Sequence, residues 1–94
     1  MKKDELIQEL KQACNIASQY SGGYSNEFCD ATEFYEALKL AIVEFENGDE
    51  SKIVDFWVWF APAMVWDDFI GADGLEFGNS IFEKIEIYKK DKNL

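Results

Sequence analysis

IVDFWVWFAPAMVWDDFI, residues 53–70, decides the fold of this chain. It holds all three tryptophans (Trp57, Trp59, Trp66), three of the eight phenylalanines (Phe56, Phe60, Phe69) and the only proline, Pro62. Aromatic side chains bury about 150–250 Å² each, so this ring surface has to be covered by the rest of the chain or by a partner. VDFWVWF has the composition of a strand, yet no other segment alternates in a way that would pair with it. A helix from Glu50 to Phe60 is therefore expected, with Asp49 or Ser51 as its cap. It must end or bend near Ala61, because Pro62 lacks the amide proton of an internal helical turn. Ala63 to Phe69 is expected to add a further short turn of helix, closed by the acidic pair Asp67 and Asp68. Gly71 and Gly74 then frame a loop.

Upstream, Leu6, Leu10, Ala13, Ala17 and Tyr20 recur at three- and four-residue steps, which predicts a helix from Asp4 to Tyr20. Asp4 is placed to cap it, and Ser21-Gly22-Gly23 to stop it. A polar loop with two aromatics, Tyr24 and Phe28, leads to Asp30. Asp30 and Glu33 form a capping box for a second helix, whose buried face is Phe34, Ala37, Leu38, Ala41, Ile42 and Phe45 and which stops at Asn47-Gly48. Phe28 is positioned to staple against Phe34. Downstream, Ser80 and Glu83 make another capping-box pattern, so a last helix is expected from Ser80, burying Ile81, Phe82, Ile85 and Tyr88. Its C-terminal end carries Lys84, Lys89, Lys90 and Lys92, where the helix dipole favours cations, and fraying is expected from Asp91. The expected fold is all-α: a single domain over residues 1–94, a compact bundle of about four helices with a proline-broken aromatic segment at its centre.

Composition narrows the function. The chain has 94 residues, 48% of them hydrophobic and 30% charged, which is the balance of a globular domain. Nine lysines face nineteen aspartates and glutamates, with no arginine and no histidine, for a net charge of −10. Solubility alone asks for a magnitude of only about 2–8 in a small domain. Such a field repels nucleic acid and anionic membranes and attracts cationic proteins. The chain starts directly in an amphipathic pattern and has no uninterrupted apolar run of membrane-spanning length, so a cytoplasmic protein is expected, with Cys14 and Cys29 as reduced, largely buried thiols.

Catalysis finds no candidate. Histidine is missing, and adjacent Asp67 and Asp68 point about 100° apart on a helix, so they make no facing pair of carboxylates. Cys29 has no base beside it and reads as a core thiol. Asp67, Asp68, Asp73 and Glu76 do not follow the alternate-residue spacing of a calcium loop, and two cysteines without histidine make no zinc site. No enzyme activity, metal or cofactor is expected. What remains is binding through two wet segments that mix rings with carboxylates: Tyr20, Tyr24, Glu27 and Asp30 after the first helix, and Trp66, Asp67, Asp68, Asp73 and Glu76 after the proline. There charge would steer a basic partner in and aromatic anchors would hold it, with Glu36, Glu44 and Glu46 extending the negative field.

In length, acidity, helical pattern and these loop-borne residues the chain resembles the small acidic immunity proteins that bacteria encode beside secreted or contact-delivered toxins. The stretches GGYSNEF, WFAP-x3-WDDFIG and GN-x-I carry the resemblance, which covers most of the chain. The immunity proteins of colicin nucleases are similar in helical architecture and acidity only, since their tyrosine-tyrosine-proline segment is missing here. The resemblance implies inhibition of a cognate basic toxin domain, encoded upstream, by covering its active site or a nearby surface. Two other readings are an acidic mimic of nucleic acid that occupies a DNA- or RNA-binding protein, and an adaptor that homodimerises through the tryptophan-rich segment. The mimic predicts long exposed rows of carboxylates, whereas lysines are interleaved at both ends of this sequence.

Overall fold

The computed structural model describes residues 2–25 and 27–94. Five helices account for most of these residues, and no strand occurs among them. They are α1 (Lys3–Ala17), α2 (Ala31–Glu46), α3 (Lys52–Phe60), α4 (Val65–Phe69) and α5 (Leu75–Lys92), with a 3₁₀ turn, Gly71–Gly74, between the last two. The four long helices run alternately up and down. α1 packs on α2 and α5, and α3 closes the ring by packing on the same two. The particle measures 34 × 24 × 21 Å.

Each helix starts and stops for a local reason, not always the one the sequence suggested. α1 begins at Lys3 with Lys2 before it and no side-chain cap, so Asp4 lies in its first turn instead of capping it. It ends at Ala17, three residues short of Tyr20, whose ring instead folds back against the core. Gly22 and Gly23 both take positive φ, 75° and 76°, which turns the chain toward α2. The Asp30 carboxylate caps α2, accepting the Glu33 amide at 2.8 Å, and Phe28 packs on Phe34 with ring centroids 5.6 Å apart. Asp49 orders the entry to α3: its carboxylate accepts both the amide, at 3.1 Å, and the hydroxyl of Ser51. The Ser51 hydrogen bond holds the Asp49 carboxyl below its ordinary range.

The proline break falls where expected, with α3 ending at Phe60 and Ala61 extended ahead of Pro62. Beyond it the sequence misleads. Gly71–Gly74 is a 3₁₀ turn, not an open loop, and it feeds straight into α5 at Leu75. Ser80 is therefore an exposed residue inside α5 and caps nothing. The helix also continues through Asp91 to Lys92, with Asn93 in the left-handed conformation as its stop. The early start follows from Trp66. Its fully buried indole occupies the space a Cβ would take at Gly78, and at Gly74 that space is taken by the Ile70 side chain with the indole just beyond it. Two poor helix formers are thus kept where close packing needs them.

The core is built mainly of rings. Trp59, Phe28 and Phe34 pack edge to face, Phe34 stacks on Phe69, and Phe60 and Phe77 flank Trp66. At the other end Phe45 meets Phe56 and Tyr88 edge-on. The aromatic stretch is thus covered largely by the chain itself; Trp57 alone of its rings stays exposed, with the Lys89 ammonium 4.2 Å from its ring centroid. The thiols depart from expectation: Cys29 is exposed and Cys14 half-buried, both free, and burial pushes the Cys14 thiol up.

Candidate functional site: an acidic pole

The up-and-down topology brings one set of chain turns to a common end. Residues 18–25 and 27–30 between α1 and α2, the C-terminal end of α3, α4, the 3₁₀ turn and the first turns of α2 and α5 all lie there. Contacts fix this arrangement. The Trp59 indole N–H donates to the Glu27 carboxylate at 2.9 Å, joining α3 to the loop. Gly23 lies so close to Phe69 that a Cβ on it would sit 3.2 Å from the ring. Within the loop, the buried Ser25 hydroxyl accepts the amides of Glu27 and Phe28 at 3.2 and 3.1 Å.

Charge is sorted between the two ends. Residues 12–38 and 53–83 contain ten carboxylates and no lysine, whereas the rest of the chain has nine of each. Most of the net charge of −10 therefore resides in the two stretches that build this end and the helices leading to it. The exception is Asp55, in the first turn of α3, which pairs with Lys52 at 3.9 Å at the opposite end. The opposite end is balanced and cross-linked. Lys11 pairs with Glu46 at 3.1 Å, Lys3 with Glu50 at 3.5 Å, Lys52 with Glu44 at 3.6 Å, and Lys84 with Glu9 across α1 and α5 at 2.5 Å. Glu44 and Glu46 accordingly do not extend the negative field; both are spent in ion pairs at the balanced end.

The nine candidate residues separate into four kinds. Trp66 is fully buried, donating its indole N–H to the Gly74 carbonyl at 2.9 Å. It cannot meet a partner, and its assignment to the binding surface is corrected here: the small side of Gly74 and Gly78 draws the ring inward. Tyr20 is half-buried against the core. Glu27, Asp30 and Asp67 are engaged in holding the fold, on the Trp59 indole, the Glu33 amide and the Ala63 amide (2.6 Å) respectively. Tyr24, 72% exposed, and Asp68, Asp73 and Glu76 are free. Those three carboxylates have no hydrogen bond or ion pair among the described residues.

Sequence reading missed Met64 and Leu75, both exposed at this end, and with Tyr24 they give the pole its apolar contact surface. It also missed Glu33, an exposed acid beside the Asp30 cap. The signal that would have found the pole is the pair of lysine-free stretches, which means little until the topology places them together. Chemically the pole offers anionic hydrogen-bond acceptors around a few apolar side chains. Among the described residues no cluster of histidine, cysteine, aspartate or glutamate could hold a metal ion, and no helix is long and apolar enough to cross a membrane. No family model matches this chain, and neither a curated protein nor a solved structure matches it.

Proposed function

We propose that this protein neutralises a cationic protein, in the manner of an immunity protein that covers the basic, substrate-binding surface of a toxin domain. The observation that carries the reading is the sorting of charge. An acidic protein that needed charge only for solubility would gain nothing from gathering most of its excess toward one end. Gathered there, the field orients an approaching cationic surface and raises the encounter rate, and Tyr24, Met64 and Leu75 supply contacts that slow release. The resemblance to small acidic immunity proteins points the same way. A basic nuclease is the partner class that suits the pole best, since its substrate groove must itself be positive.

The nucleic-acid mimic gains support from the same feature, because lysine-free carboxylates at one end are closer to a phosphate row than the linear sequence suggests. The two readings share a basic nucleic-acid-binding surface as target and differ in whether that target is one cognate toxin. The adaptor that dimerises through its tryptophans is left with Trp57 alone, 36% exposed, since Trp59 and Trp66 are inside the core.

The test is co-expression with the toxin domain encoded directly upstream, together with calorimetry of the purified pair. Protection and a salt-sensitive complex that weakens on charge reversal at Asp68, Asp73 and Glu76 are expected. Undiminished killing would sink the immunity reading. Equal binding to unrelated DNA-binding proteins would favour the mimic.

A further inference from the structure

We propose that the outer ridge of α2 pairs with a second copy of this chain about a two-fold axis, with the two α2 helices antiparallel. Leu40 and Val43 of each copy would then seat in the groove between α1 and α2 of the other. This face lies on the side of the bundle, and the proposal does not rest on the reading of the acidic pole.

The ridge is unusual for this molecule. Leu40 is 61% exposed, more than any other large aliphatic side chain among the described residues, and Val43 is 48% exposed. On a 3.6-residue helix Glu36, Leu40 and Val43 share the face opposite the buried Leu38 and Phe45. Beside the ridge runs a groove of about 280 Å³, floored by Cys14, Tyr35 and Ile42. Lys39 and Val43 line both this groove and the shallow depression over Leu40. Ridge and groove are therefore one continuous surface, and an axis passing between them lays each ridge into the partner's groove. That is the self-complementarity a two-fold interface requires, made by ridges-into-grooves packing.

Charge sets the direction of pairing, although the net −10 of each copy opposes association. α2 runs from the acidic pole into the balanced half. A parallel neighbour would set pole beside pole, whereas an antiparallel copy sets each pole beside the partner's balanced half and opposes the helix dipoles. The ridge also carries one unpaired charge of each sign. Lys39 has no carboxylate partner among the described residues, its ammonium lying 5.9 Å from the Tyr35 ring centroid. Glu36, one turn earlier, has no ion pair among the described residues either. Antiparallel pairing brings Lys39 of each copy within reach of Glu36 of the other, and symmetry makes the pair twice. A cationic protein, by contrast, is drawn to the far end of the molecule.

Sedimentation of the full chain over a range of concentrations tests this, with Leu40→Glu, Glu36→Lys, Lys39→Glu and the Glu36→Lys/Lys39→Glu double variant, circular dichroism confirming the fold of each. A monomer–dimer equilibrium is expected for the natural sequence and monomer alone for Leu40→Glu. Each single charge reversal should weaken the dimer by about tenfold, and the double variant should regain most of the loss. A chain that stays monomeric up to millimolar concentration overturns the proposal and leaves the ridge to a different protein. So does a dimer indifferent to Leu40→Glu, a double variant as weak as the singles, or association that runs on past two copies.

Discussion

The indole of Trp66 rests on the bare backbone of Gly78, and no side chain fits between them. A Cβ at that position would fall under 3.0 Å from the ring, and the ring cannot retreat because its N–H is tied to the Gly74 carbonyl. Two effects of Gly78→Ala oppose each other. Helix propensity favours alanine by about 1 kcal/mol, while forcing a methyl into a filled core costs about 1–3 kcal/mol. The clash is with a fully buried ring on a short tether, so the second should win. Gly78→Ala is expected to lower the urea midpoint, and a stabilised variant would show that Trp66 can move.

At the balanced end, the fully buried Tyr88 donates its hydroxyl to both oxygens of the Glu50 carboxylate, at 2.7 and 2.9 Å. Lys3 reaches the same carboxylate. This contact ties α5 to the entry of α3 and to the start of α1. Tyr88→Phe should therefore cost about 1.5–3 kcal/mol, the usual worth of a hydrogen bond to a charged group.

The same tyrosine sets an alkaline limit. Burial, and then the carboxylate it serves, push the Tyr88 hydroxyl well above the ordinary tyrosine range. The folded state thus keeps a proton that the unfolded chain gives up near pH 10. Stability from this group is complete below about pH 10 and falls as pH rises beyond it, because there the folded state binds more protons. Denaturation followed between neutral pH and strong alkali should show this decline, and Tyr88→Phe should flatten it.

Ala63 holds a φ of 61°, in the left-handed region that costs a residue with a Cβ about 1–2 kcal/mol. It is kept there by its amide, which donates to Asp67, and by Pro62 before it. Ala63→Gly should relieve the strain and, after glycine's larger unfolded-state entropy is offset, stabilise the protein by roughly 0.5–1 kcal/mol. Asp67→Asn should do the reverse. Thermal melts of the two variants check the pair.

The carboxylates of the pole should divide by experiment as they divide by contact. Asp30→Ala removes a helix cap and is expected to lower stability by about 1 kcal/mol. Glu27→Gln should alter the fluorescence of Trp59, whose indole it holds. Reversal of Asp68, Asp73 and Glu76 to lysine should leave helicity unchanged while reducing the association rate with a cationic protein, an effect that salt would abolish. Loss of folding in that triple variant would move these three into the structural group.

Much of the fold was legible in the sequence, and its failures share one cause. Asp30, Pro62 and the Phe28–Phe34 contact act through near neighbours, so pattern alone exposes them. The start of α5 does not, because Gly74 and Gly78 weaken the helix locally and are retained for the side chains of Ile70 and Trp66 upstream. Ser80 and Glu83 then offered a cap of the right spelling inside a helix already under way. Trp66 was misjudged for the same reason: flanking acids made it look wet, and only the third dimension hides it. Cys29 erred oppositely, lying on the outside of a loop whose buried polar residue is Ser25. For the site, the sequence supplied the charges and the topology gathered them.

The lysine-free stretches also bear on how the protein can be handled. Every side-chain amine lies outside residues 12–38 and 53–83, and arginine is absent. Amine-directed coupling to a sensor surface will therefore attach the molecule by its balanced half and leave the carboxylate-rich face toward the solution. Trypsin, which needs lysine or arginine, has no site within either stretch, so both survive digestion as long, traceable peptides.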